Sequence, residues 1–239
     1  MKFDGWRFDY VKGFGAWVVN SWNANVGGFS VGELWDSNVN TLNDWANNAN
    51  SSVFDFACYY KMNDAFDGNN LNVLNDDMMW KRNPYKAVTF VTNHDTDEIW
   101  SKYLAYAYIL THPGIPCVWA PHYFGGSYTK EGVTRTYADN QTAINKLMAV
   151  RKANGINAYS YITINQSNST YAAYVKKSFS DANPVIAVKI GSGSWTPTGD
   201  GWILNVSGTD YSVWSKSAIN LPPTIKITPI SANYLAGET

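Results

Sequence analysis

Three acidic residues stand where short apolar segments of this chain end. Asp9 closes segment 3–8, Glu33 follows segment 29–32, and Asp95 lies just beyond segment 87–92. When short parallel strands form a barrel, the groups that do chemistry are carried where the strands end. Cleavage of a glycosidic bond with retention uses two carboxyl groups about 5–5.5 Å apart, one ionised and one protonated. The three acids therefore indicate chemistry of the glycosidase type.

Arg7 lies two positions before Asp9. Because side chains alternate between the two faces of a strand, Arg7 and Asp9 point the same way. A guanidinium group beside a carboxyl group keeps that carboxyl ionised, which a carboxylate nucleophile requires. Taken alone, Asp9 could equally form a structural salt bridge with Arg7, and Glu33 could cap a helix.

The acids require a framework of alternating strands and helices, and the hydrophobic pattern predicts one. Five apolar strands are expected, separated by helical segments with apolar residues at three-to-four spacing, which argues for a parallel sheet covered by helices. The predicted strands are 3–10, 29–34, 53–56, 87–92 and 115–119, and the predicted helices are 13–26, 36–50, 59–66, 71–80, 101–112 and 142–152.

The pattern changes after Asn154. Short alternating segments separated by Gly, Asn, Ser and Asp predict a small antiparallel β domain. The predicted strands are 159–164, 171–176, 185–189, 202–206 and 211–214. We divide the chain into a partial barrel (1–154), the antiparallel domain (155–216) and a linker with the start of a further β module (217–239).

The composition excludes some functions. With a net charge of −1 over 239 residues, the chain lacks the basic surface that nucleic acids or anionic membranes bind. No apolar stretch approaches the 18 residues of a membrane span. Cys58 and Cys117 lie in apolar segments and are expected to be buried free thiols.

The ordered segments resemble the α-amylase family, glycoside hydrolase family 13. The similarity rests on Arg7 and Asp9, on Glu33, on Asn93-His94-Asp95, and on the stretch 105–118, all in the family's order. It implies the last five strand–helix units of a (β/α)₈ barrel, strands four to eight, followed by an antiparallel β-sandwich. The chain therefore resembles an N-terminally truncated member, similar to plant, archaeal and bacterial α-amylases.

The resemblance also implies roles for individual residues. Asp9 is the expected nucleophile, Glu33 the general acid and base, and Asp95 the residue that stabilises the transition state. Arg7, Lys12 and His94 are the expected substrate-binding residues, His94 through sugar hydroxyl groups and Lys12 on the leaving-group side. Lys12 could instead be an ordinary solvated lysine.

Calcium is the cofactor that the family implies, with the backbone carbonyl of Gly13 as a ligand. Calcium takes six to eight oxygen ligands. The Asn that completes the family's site precedes the region matched by this chain, so we do not expect a family-type calcium site here. After strand 115–119, Trp119 to His122 depart from the family pattern, and substrate contacts there are not transferred.

The expected function is retaining endo-hydrolysis of α-1,4-glucosidic bonds in starch and related glucans. Two alternatives stay open: an impaired amylase remnant that binds glucans or a partner, and a glucan transferase with the same triad. We expect an extracellular location from the family. Open sheet edges at 3–10 and 115–119 predict self-association, most simply as a homodimer.

Overall fold

A parallel five-stranded sheet forms the first half of the protein. The computed structural model describes residues 3–130, 132–167 and 169–217. The strands are hydrogen-bonded in sequence order, β1-β2-β3-β4-β5, so each carboxyl end lies at the same edge of the sheet. Their bounds are Gly5–Phe8 (β1), Phe29–Gly32 (β2), Ser52–Phe54 (β3), Ala87–Phe90 (β4) and Ile115–Cys117 (β5).

Helices connect the parallel strands, because consecutive parallel strands cannot be joined by a tight turn, and two more helices follow the last of these strands. They are Ala16–Val26 (α1), Val39–Asn48 (α2), Phe56–Phe66 (α3), Met79–Arg82 (α4), Lys102–Thr111 (α5), Ala120–Phe124 (α6) and Gln141–Ala153 (α7), with short 3₁₀ turns at Val11–Gly13 and Leu71–Asn75. The α2 helix begins later than predicted because the Asn38 side chain, not Asp36 or Ser37, accepts the N–H groups of Asn40 and Thr41. Among the described helices, none has both the length and the apolar character needed to cross a bilayer.

The second half contains an antiparallel sheet with strand order β11-β12-β10-β9-β8. Its strands are Tyr161–Ser167 (β8), Thr170–Lys176 (β9), Ile186–Ile190 (β10), Ile203–Gly208 (β11) and Tyr211–Ser215 (β12). The residues described here form one sheet, and its inner face packs against α5 and α7 instead of a second sheet. The apolar side chains of this face, such as Val175 and Val188, belong to the same core cluster as those of the helices.

A buried polar cluster joins the two halves. The His112 ring stacks on Tyr108 with centroids 4.0 Å apart, and its Nε2 lies 2.7 Å from the hydroxyl of Tyr171 on β9. Burial lowers the pKa of His112 to about 3, so the imidazole is neutral at pH 7. Arg151 adds hydrogen bonds to the carbonyls of Leu110, His112 and Gly114. These contacts hold α5, α7 and the antiparallel sheet together.

A hairpin and a cysteine also differ from the sequence-based expectation. A β-hairpin formed by Gly126–Lys130 (β6) and Val133–Tyr137 (β7) was not predicted. Both cysteines are free, but Cys117 is exposed, so the prediction of a buried thiol there was wrong. Cys117 ends β5, an outer strand of the described sheet, and a neighbouring strand on only one side leaves its side chain open to solvent. The predicted linker and β module at 218–239 lie outside the described residues.

Candidate active site

The carboxyl ends of β1 and β2 bring Arg7, Asp9 and Glu33 together. Arg7 Nη1 lies 2.9 Å from Asp9 Oδ1, and Arg7 Nη2 lies 2.9 Å from Glu33 Oε1. Parallel pairing of β1 with β2 produces this arrangement, because Arg7 is in register with Val31, two residues before Glu33. One guanidinium group therefore bridges the two acids.

Backbone groups of two residues, one within β1 and one after it, form hydrogen bonds with the N–H and the carboxyl group of Glu33. Its N–H donates to the Phe8 carbonyl (2.9 Å), and its Oε2 accepts the Tyr10 N–H at 3.4 Å. Tyr10 adopts the left-handed conformation (φ 44°) where the chain leaves β1 for the 3₁₀ turn. Gly32 lies beneath the ring of Trp45, where a Cβ would come within 2.1 Å of the indole, so any larger residue would displace β2 from α2.

The surroundings separate the pKa values of the two acids. The side chain of Glu33 is 8% exposed, whereas that of Asp9 is 70% exposed. Burial raises the pKa of Glu33, and the nearby Asp9 carboxylate raises it further. The pKa of Asp9 is lowered, first by a hydrogen bond from the Glu33 carboxyl and also by Arg7 and His94. At neutral pH this favours an ionised Asp9 beside a Glu33 that holds its proton more strongly than usual.

The third acid lies on a turn after β4. Asn93 Oδ1 accepts the N–H groups of Asp95 (2.8 Å) and Thr96 (2.9 Å), and the Thr96 hydroxyl accepts the Asn93 N–H (2.9 Å). These reciprocal bonds fix the turn. His94 Nε2 then lies 3.0 Å from Asp95 Oδ2. A charge on His94 contributes to the lowered pKa of Asp9, so the turn after β4 lies within electrostatic range of that acid.

Lys12 and Gly13 follow β1 on a 3₁₀ turn. Lys12 Nζ lies 3.5 Å from Asp36 Oδ2, so this lysine has an ionic partner within the protein. The Gly13 N–H donates to the Tyr10 carbonyl (3.0 Å). Nowhere in the described parts of the chain do three His, Cys, Asp or Glu side chains cluster as a metal site would need. A calcium-ligand role for the Gly13 carbonyl stays a prediction, because carbonyl oxygens also bind calcium, and calcium has no part in the chemistry derived below.

One wall of the site was not predicted from the sequence. A cavity of about 290 Å³ is bounded on one side by residues 93–97 and on the other by Trp119 and the β6–β7 hairpin. The signal for this hairpin was present in the sequence: Ser, Tyr, Thr and Val residues alternate on both sides of Gly132. His122, in contrast, is fully buried beneath the hairpin, with its Nε2 2.6 Å from Glu98, and does not face the cavity.

Comparisons with known proteins support the same assignment of fold. Residues 153–215 match the family model described as the α-amylase C-terminal β-sheet domain. A solved α-amylase from Anoxybacillus superposes with a TM-score of 0.66 at 17% identity, covering 90% of this chain and 59% of that one. The predicted fold, the C-terminal part of a (β/α)₈ barrel followed by an antiparallel β domain, is thereby confirmed.

The sequence relatives are named as α-amylases or as a glucan hydrolase. The chain is 32% identical to probable α-amylase 2 of Arabidopsis thaliana, over 90% of this chain and 55% of the relative. It is 30% identical to the glucan 1,4-α-maltotetraohydrolase of Stutzerimonas stutzeri, over 88% of this chain and 42% of the relative. For the α-amylase type B isozyme of Hordeum vulgare the identity is 32%, over 56% of this chain and 82% of the relative.

A partial parallel barrel with acids at adjacent strand ends, joined to an amylase-type terminal sheet, defines a protein of the glycoside hydrolase class. More specifically, the chain belongs to the α-amylase family, glycoside hydrolase family 13. It spans about half or less of the length of the Arabidopsis and Stutzerimonas relatives.

Proposed function

We propose that this site cleaves α-1,4-glucosidic bonds within starch-type glucans, with retention of configuration. The observation that carries the proposal is the pair Asp9 and Glu33: two interacting carboxyl groups at adjacent strand ends, one with a lowered and one with a raised pKa. Pairs of acids whose environments separate their pKa values in this way divide the roles of nucleophile and acid between them. The names of the relatives, α-amylases and a maltotetraohydrolase, support the choice of substrate.

The proposed reaction has two displacements. Asp9 attacks the anomeric carbon while Glu33 gives its proton to the leaving glycosidic oxygen, forming a glycosyl–enzyme ester and releasing one part of the glucan. Glu33, now ionised, takes a proton from water, and the resulting hydroxide displaces Asp9. Asp95 is assigned to stabilise the positive charge that develops on the sugar ring, and His94 to bind its hydroxyl groups. Arg7 maintains the ionised state of Asp9.

A reducing-sugar assay on soluble starch tests the proposal. Release of reducing ends by the chain, with α-configured products, is the expected result. Absence of cleavage together with retained starch binding would favour the glucan-binding remnant. Products longer than the substrate, formed when an acceptor sugar is added, would favour the transferase. An extracellular location stays a prediction, which fractionation of the source culture tests.

We also propose that the chain self-associates as a homodimer. In the described sheet, β1 and β5 each pair with one neighbour, which leaves two edges of unpaired backbone groups. Large apolar side chains in this part of the chain are open to solvent: Phe3, just before β1, is 60% exposed and Trp17, on α1, is 74% exposed. Size exclusion coupled to light scattering measures the assembly directly. A monomer that persists across micromolar concentrations would contradict the dimer.

A further inference from the structure

The β6–β7 hairpin has two chemically different faces. Antiparallel pairing places Tyr128 opposite Arg135 and Gly126 opposite Tyr137, and these residues share a face with Val133. The other face consists of hydroxyl residues that bond across the strands: Ser127 with Thr136 (3.1 Å) and Thr129 with Thr134 (2.8 Å). The hairpin therefore presents its aromatic and basic residues on one side and its hydroxyl residues on the other.

The aromatic and basic face points toward the candidate active site. Tyr128, Val133, Arg135 and Tyr137 all line the cavity of about 290 Å³ that the turn carrying His94 and Asp95 bounds from the other side. That volume lies near the lower end of small-molecule sites and can hold about one sugar unit. Since Asp95 is part of the lining, a sugar in the cavity would extend directly from the proposed cleavage point.

Buried contacts hold the hairpin over the cavity. Tyr137, at its base, packs edge-on against the buried His122 ring, with centroids 5.3 Å apart. The Arg135 side chain, on the same face of β7, lies close enough to the Tyr137 hydroxyl to affect its pKa. Tyr128 meets the Trp119 ring edge-on at 6.4 Å, and Trp119 in turn lies nearly parallel to His94. These ring contacts attach the hairpin to Trp119 and His122.

The chemistry of this wall suits a neutral, hydroxyl-rich ring. Aromatic faces pack against the C–H face of a sugar, while the five N–H donors of an arginine reach its hydroxyl groups. Tyr128 and Trp119 supply half-buried aromatic surface, and Arg135 supplies exposed donors on the same side.

We propose that the β6–β7 hairpin is a specificity element, in which Tyr128 and Arg135 bind one glucosyl unit of the α-glucan beyond the unit held at the carboxyl groups. This inference rests on the proposed function for the identity of the ligand. It adds that the hairpin sets the chain-length preference, because only a glucan long enough to reach the cavity gains these contacts.

Kinetics on maltooligosaccharides of increasing length, from maltotriose to maltoheptaose, test the hairpin. Tyr128→Ala and Arg135→Ala should each reduce kcat/KM on maltoheptaose about tenfold and leave the shortest cleaved substrate unchanged. Thr134→Ala is the matched control, since it truncates a side chain on the opposite face of the same strand. Thermal unfolding of each variant verifies that the fold is retained. Equal losses at every length, no loss, or the same loss in Thr134→Ala would overturn the proposal.

Direct binding separates this inference from the proposed function. Maltoheptaose is titrated calorimetrically into Glu33→Gln, alone and combined with Tyr128→Ala, Arg135→Ala or Thr134→Ala. Binding weakened about tenfold by the first two substitutions and not by the third supports the hairpin site, even if the wild-type chain fails to cleave starch. Unchanged binding in all combinations overturns the hairpin site, even if the wild-type chain proves to be an active amylase.

Discussion

Two buried acids that follow neighbouring strands differ in the groups that surround their carboxyl oxygens. Glu33 follows β2, and Asp55 follows β3. Burial raises the pKa of both, that of Asp55 to about 6. Asp55, however, is fully enclosed and accepts the N–H groups of Cys58 (2.8 Å), Met79 (3.3 Å) and Trp80 (2.8 Å). It caps α3 and fixes the start of α4.

Glu33 has far less support from the backbone. Its carboxyl group accepts one long hydrogen bond, from the Tyr10 N–H, and otherwise meets charged side chains, Arg7 and Asp9. A carboxyl group that accepts several backbone N–H groups stabilises the local backbone structure. One that faces another carboxyl and an arginine is free to exchange a proton. The contrast indicates that the partners of a buried acid, not its burial, distinguish a structural role from a chemical one.

The largest effect expected from this contrast is the loss of catalysis in Glu33→Gln. The amide keeps the size of the side chain but cannot transfer a proton, so cleavage of starch should fall by about 10²–10⁴-fold while the melting temperature changes little. Initial rates and thermal unfolding measure the two quantities. Near wild-type activity would remove Glu33 from the acid role.

Asp55→Ala should act mainly on stability, whereas Glu33→Gln acts mainly on catalysis. Three buried N–H groups lose their acceptor, which should lower the free energy of unfolding by about 3 kcal/mol or more. Chemical denaturation measures this loss. The matched control is Asp44→Ala on α2, because Asp44 is an exposed acid and its loss should change stability by about 0.5 kcal/mol or less. If Asp55→Ala were as stable as the control, the structural assignment of Asp55 would be wrong.

The sequence predicted the five parallel strands and the five antiparallel strands because both halves have clear hydrophobic periods. It also placed Arg7, Asp9 and Glu33 together, since parallel strand ends meet at one edge. It could not distinguish Asp55 from Glu33, because the N–H groups of Met79 and Trp80 come from a distant segment of the chain. The β6–β7 hairpin was missed because its signal, the alternation of Ser, Tyr, Thr and Val around Gly132, is weaker than the apolar pattern of the other strands.

Arg7→Met tests the electrostatics of the site. Removing the guanidinium group raises the pKa of both Asp9 and Glu33, because its charge lowers both in the native protein. Activity requires Asp9 ionised and Glu33 protonated, so both limbs of the pH–rate profile should move to higher pH. Arg82→Met, which disrupts an exposed ion pair with Asp77, is the control and should leave both limbs unchanged. A shift of both limbs to lower pH would contradict the arrangement.

The smallest effect concerns Lys12, whose ion pair with Asp36 lies at the solvent-exposed rim of the site. The two groups are 3.5 Å apart and partly exposed, so the pair should contribute at most about 1 kcal/mol, and Lys12→Ala should hardly change the unfolding free energy. Because the family resemblance assigns Lys12 to the sugar on the leaving-group side, Lys12→Ala should raise KM on a long glucan several-fold at unchanged stability. Asp36→Ala is the discriminating partner, because it removes the same ion pair yet leaves the lysine available to substrate. Equal KM values for the two variants would mean that the lysine serves only its ion pair and does not contact the substrate.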